Sequence, residues 1–69
     1  MVEIFKTNVE NNQQAEHILN LLNHRFPAYS INFDLHDCDK ILRVKGTSIS
    51  VIDIESFVME IGFQCAVLN

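Results

Sequence analysis

Apolar and polar positions alternate with two different periods along this chain, and the changes of period divide it into six segments. Val2 to Thr7 mixes β-branched and aromatic residues and reads as a strand. Its inward face is ambiguous, because Val2 and Ile4 lie on one side and Phe5 on the other. Asn11 then supplies a helix N-cap, with Gln14 three residues on as its capping-box partner. Ala15, Ile18, Leu19, Leu22 and Phe26 follow at helical spacing, and Pro27 stops the helix. His24 and Arg25 sit favourably in its last turn. Tyr29, Ile31, Phe33 and Leu35 alternate with Ser30, Asn32, Asp34 and His36, the clearest half-buried strand in the chain.

Asp37-Cys38-Asp39 makes a turn. Ile41 to Lys45 returns as a strand with Leu42 and Val44 inward and Ile41, Arg43 and Lys45 outward, and Gly46-Thr47 ends it. Ser50 caps a second helix with Asp53 at the capping-box position. Its stripe is Val51, Ile54, Val58 and Ile61, with Phe57 alongside. Gly62 stands where a left-handed C-terminal residue belongs, Phe63 packs back, and Cys65 to Leu68 forms the last strand. The order is strand, helix, strand, strand, helix, strand. A sheet with one apolar face needs a cover, and two amphipathic helices supply it. The expected fold is α+β: a ferredoxin-like βαββαβ domain over residues 1–69, with a four-stranded antiparallel sheet and both helices on one face. That fold hosts many functions and implies none.

The second half resembles the heavy-metal-associated domain family, the small copper-chaperone-like modules also found at the front of metal-transporting ATPases. The residues that carry the resemblance are Ser30-Ile31-Asn32-Phe33-Asp34-Leu35, Arg43-Val44-Lys45-Gly46, and Ile54 through Ile61-Gly62-Phe63-Gln64-Cys65-Ala66-Val67-Leu68. Leu22 to Pro27 looks like the end of that family's first helix. The resemblance implies the scaffold. It also locates the family's metal site, a Cys-x-x-Cys where the first strand meets the first helix, whose two thiolates suit Cu(I) or Zn(II). In this chain the pair falls on Asn11/Gln14 or on Asn12/Ala15, and neither offers a thiolate. No residue of that site carries over.

Composition narrows the remaining chemistry. The net charge is −4, from nine acidic against five basic residues, so clustered phosphate-binding cations and a nucleic-acid partner are not expected. The longest apolar run is four residues, far below a membrane span, and the start shows no basic region followed by an apolar stretch. A cytoplasmic location is expected. The two cysteines have no secretory context and should be reduced thiols.

Three loops should meet at one end of the sheet: Thr7–Asn11, His36–Lys40 and Phe63–Gln64. His36, Cys38 and Asp39, with Asp37, are therefore the candidate ligands of a relocated Zn(II) site. A solvated hairpin tip is the plainer expectation, since four adjacent residues of a tight turn rarely wrap one metal. Cys38 and Cys65 should lie two strand spacings apart, ~9–10 Å, too far for a disulfide. Cys65 should point into the core and Cys38 into solvent. His17 and His24 are seven apart, too far for chelation from one helix. No Gly-rich phosphate loop is available with only Gly46 and Gly62. No nucleophile–base–acid arrangement stands out, so an enzyme is not expected.

The open sheet face is the other candidate surface. Ile41 and Leu68 should point outward there, beside Asn32, Asp34, Arg43 and either Phe5 or Val2/Ile4. Contiguous apolar members would make a surface for a protein partner or for self-association. The expectation is a non-enzymatic binding module without a cofactor, acting through protein or small-ligand contacts. The alternatives are a metal-binding or metal-transport protein with its site near His36 and Cys38, or a sheet-dimerising, ligand-sensing regulatory domain.

Overall fold

The computed structural model of the protein describes residues 1–68. Six elements run in the expected order: β1 (Val2–Thr7), α1 (Asn12–Arg25), β2 (Ser30–Asp34), β3 (Ile41–Lys45), α2 (Val51–Ile61) and β4 (Cys65–Leu68). The strands form one antiparallel sheet in the order β2-β3-β1-β4. This is the ferredoxin-like α+β arrangement. Phe5, Leu42 and Val44 from the sheet share one buried cluster with Ile18 and Leu22 of α1 and Ile54 and Val58 of α2, so both helices cover the same face. Each of these seven side chains is fully removed from solvent, at roughly 1.5–3 kcal/mol of transfer free energy apiece.

Register settles the ambiguity in the first strand. Phe5 lies opposite Leu42 on one side and Val67 on the other, and points into the core with Thr7. Val2 and Ile4 therefore belong to the open face. The expectation for Ile41 needs correcting: by alternation it points to the open face, but only 6 % of its surface is exposed. β3 is an interior strand with neighbours on both sides. The long stems of Lys6 and Arg43 on the same face can lie over a short apolar neighbour while their charged ends stay wet.

Both caps form, and neither closes as the simple capping box does. The Asn11 carboxamide oxygen accepts from the Gln14 N–H at 2.8 Å, but Gln14 Oε1 reaches back one residue further, to the Glu10 N–H at 2.9 Å. Ser50 Oγ accepts from the Asp53 N–H, while the Ser50 N–H donates to the Tyr29 hydroxyl oxygen at 3.1 Å instead of to Asp53. The Tyr29 ring stacks on Phe26, and a side chain at Gly46 would come within 2.9 Å of it. Glycine at 46 thus makes room for the ring that ties the end of α1 to the start of α2. At the other end of α2, Gly62 has φ of 113° and the Phe63 N–H reaches the Val58 carbonyl, a Schellman termination. Asn11→Ala is expected to cost about 1 kcal/mol, read as a lowered urea midpoint with an unchanged m-value.

Candidate functional site

The three loops do converge, and hydrogen bonds hold them together. The Thr7 N–H donates to the Asp39 carbonyl at 3.0 Å, and the Thr7 hydroxyl donates to the Lys40 carbonyl while accepting from the Val9 N–H at 3.3 Å. The Gln64 N–H donates to Asn8 Oδ1 at 2.7 Å. Val9 is fully buried and belongs to the core cluster. Thr7, Asn8, Asn11 and Gln14 thus satisfy the chain's own backbone at this end. Asn11 and Gln14 were legible from the sequence as a cap. Thr7 and Asn8 were not, because their partners lie 33 and 56 residues away. The one available signal was parity: Thr7 shares the inward side of the strand with Phe5, and a buried hydroxyl needs a partner.

The hairpin tip between β2 and β3 brings Asp37, Cys38 and Asp39 together, with ligand-type atoms within 4.8 Å of one another. His36 is not part of that group; the residue is at the rim of a groove between α1 and β2, and its N–H donates to Asp34 Oδ1 at 3.1 Å. The turn itself accounts for the close carboxylates. Asp37 Oδ1 accepts from the Asp39 N–H at 2.8 Å, the Lys40 N–H closes onto the Asp37 carbonyl, and Lys40 takes a left-handed φ of 49°. Asp39 lies 3.9 Å from the Lys6 ammonium on an exposed surface, where such a pair is worth little.

The two thiols are both free, Cys38 exposed and Cys65 buried. Burial, and then the nearby Glu55 carboxylate, push the Cys65 thiol up to about 12. His17 and His24 are both exposed on α1.

Two surfaces remain. On the open sheet face Ile4 pairs with Leu68, and Val2 is next along β1, so the apolar members are contiguous. Val2 and Leu68 are exposed. The same face carries Lys6, Arg43 and Lys45, three of the five basic residues; the register adds Lys6 to the Arg43/Lys45 alternation already visible on the third strand. The second surface is an open groove of about 490 Å³ between the first half of α1 and β2. Ala15, Leu19, Phe33 and Leu35 give it an apolar floor, and Glu16 and Asp34 line it as carboxylates.

No protein-family model, no curated protein and no solved structure matches this chain. Among the described residues, no helix is long and apolar enough to cross a membrane.

Proposed function

We propose that this protein is a non-enzymatic binding module, built on a scaffold like that of heavy-metal-associated domains but without their thiolate pair, and that it acts through contacts with a protein partner. The observation that carries the reading is the closure of the loop end. Of the two pairs that could stand where that family presents its cysteines, Asn11 and Gln14 have side chains committed to the Gln14 and Glu10 N–H groups, Asn12 and Ala15 offer no thiolate, and Val9 just before them is buried. A site whose polar atoms already serve the backbone has little left to offer a soft metal, which prefers thiolate. Two free thiols, one of them buried, fit a reducing, cytoplasmic setting.

The test is a titration of the reduced protein with Cu(I) and with Zn(II), read by native mass spectrometry. The expected outcome is no one-to-one complex of sub-micromolar affinity. A tight one-to-one complex that Cys38→Ala abolishes would overturn the reading and move the function to the Asp37–Asp39 turn.

A further inference from the structure

Exposed apolar side chains gather on two opposite sides of the molecule. On the open sheet face, Val2 and Leu68 stand beside Ile4. On α2, Ile52 and Met59 are 74 % and 55 % exposed. Two turns of helix separate them, so they form one ridge. Ile54 and Val58 of the same helix are buried in the core, and the ridge therefore faces away from the sheet. These two patches hold four of the six large apolar residues exposed among the described residues, a concentration rather than a scatter.

Charge divides along the same line. The register sets Lys45 beside Val2 and Arg43 beside Ile4, so cations border the apolar members of the open face. Arg43 donates to the Asn32 carboxamide at 3.4 Å, an uncharged partner. Lys6 is the third cation there, with the Asp39 carboxylate 3.9 Å from its ammonium, and Asp34 is the other carboxylate of that side. The two helices carry Glu16, Asp53, Glu55 and Glu60. Against these, with His17 and His24 neutral, stands Arg25, which lies over the Phe26 ring and shares a shallow cleft with Asp53 and Glu60. By helical geometry Asp53 and Glu60 lie on one flank of the Ile52–Met59 ridge and Glu55 on the other. The open face thus holds three cations and two carboxylates, and the helical side one cation and four carboxylates.

We infer that the protein associates with a second copy of itself head to tail, the open sheet face of one copy resting on the outer side of α2 of the next. Both halves of such a contact are present on this one chain. Val2, Ile4 and Leu68 meet Ile52 and Met59, while Arg43 and Lys45 meet Asp53 and Glu60. The two symmetric alternatives are poorer. Two open faces brought together set an excess of cations on an excess of cations, and two helical sides set carboxylates on carboxylates, a juxtaposition that costs affinity. The head-to-tail contact joins two different surfaces on opposite sides of the sheet. It is heterologous, and each added copy presents both surfaces again, so short stacks form instead of a closed dimer. The inference rests on the reading of the chain as an interaction module, and it names the partner as the chain itself.

The experiment is sedimentation equilibrium of the whole chain up to millimolar concentration, kept reduced so that the exposed Cys38 cannot cross-link. Two variants change exposed positions, Val2→Glu on the open face and Ile52→Lys on the ridge. For the wild type, the average mass is expected to rise with concentration past that of a dimer. Each variant alone places a like charge in the contact and is expected to associate about tenfold more weakly. An equimolar mixture of the two is expected to regain association, since each keeps the surface that the other lacks, and this recovery also shows that both are folded. Four outcomes overturn the inference. One is a wild type that stays monomeric throughout. Undiminished association of Ile52→Lys assigns the contact to two open faces, and undiminished association of Val2→Glu assigns it to two helical sides. A mixture no heavier than its separate components removes the head-to-tail arrangement. A monomeric wild type leaves the interaction-module reading standing with another partner, whereas a tight metal complex in the titration above overturns that reading without altering the sedimentation result.

Discussion

Phe5→Ala is expected to remove most of the stability of this domain, while Ile4→Ala, one residue away, removes little. Phe5 is fully buried between Leu42 and Val67, in the hydrophobic core that both helices share with the sheet. Truncating a buried phenylalanine costs about 3–5 kcal/mol, the lost transfer energy plus the cavity left behind. At roughly 0.05–0.15 kcal/mol per residue, a chain of 69 residues has about 3–10 kcal/mol in total. The loss therefore ranges from a third of the stability to all of it. Ile4 is only half-buried on the open face, so its truncation should cost less than about 1.5 kcal/mol. Urea unfolding followed by far-UV circular dichroism distinguishes the two. With an m-value of about 1 kcal/mol/M for a domain this small, Phe5→Ala should lower the midpoint by several molar or abolish the transition. Equal costs at the two positions would mean that β1 faces the other way.

That pair of substitutions marks the boundary of what the amino-acid pattern alone reveals. Periods of two and of 3.6 are written plainly over Tyr29–Leu35, over Ala15–Phe26 and over Val51–Ile61, and they yield the element order and the sheet. The first strand is different because both of its faces carry apolar residues. Its inward side is the one that holds Phe5 with Glu3 and Thr7, two polar side chains that a simple count of apolar positions sends outward. Thr7 is tolerated there because its hydroxyl finds the Lys40 carbonyl, a partner supplied by the fold and not by its neighbours. Ile41 fails the same count in the opposite sense, apolar on the open face yet covered. At the candidate site, local bonds such as the Asn11 cap were legible, since propensity and spacing act over three residues. The Asn8–Gln64 and Glu55–Val67 bonds depend on which strands become neighbours. So does the joining of Lys6 to Arg43 and Lys45 on one face. His36 was grouped with Cys38 as a member of the same converging loop, and only Asp37, Cys38 and Asp39 bring their ligand-type atoms within 4.8 Å of one another.

Cys38 and Cys65 should differ by orders of magnitude in reactivity, and only one of them should couple the fold to alkaline pH. The thiolate is the nucleophile, and a thiol held at about 12 is ionised to only ~10⁻⁴ at pH 8. Cys65 is in addition 7 % exposed, whereas Cys38 stands in solvent at the hairpin tip. A brief pulse of iodoacetamide at pH 8, followed by peptide mass mapping, should label Cys38 and leave Cys65 unmodified until the protein is unfolded. Comparable labelling of both in the native state would contradict the buried placement. The coupling to pH has a definite sign. Below about pH 9 both folded and unfolded chains keep the Cys65 proton, and the residue gives no pH dependence. Between about 9 and 12 the unfolded chain loses that proton while the folded chain retains it, so stability falls as pH rises. The ceiling for one proton is about 1.4 kcal/mol per pH unit. The measurement is the difference between wild type and Cys65→Ala in urea midpoint from pH 8 to 11, which removes every contribution common to both. Glu55→Gln separates the two causes of the shift. The amide keeps an acceptor for the Val67 N–H but lacks the charge, so Cys65 should become modestly easier to ionise and still resist the native-state pulse, because burial is the larger cause. If Glu55→Gln exposed Cys65 fully to the reagent, the carboxylate and not the core would be what holds the thiol protonated.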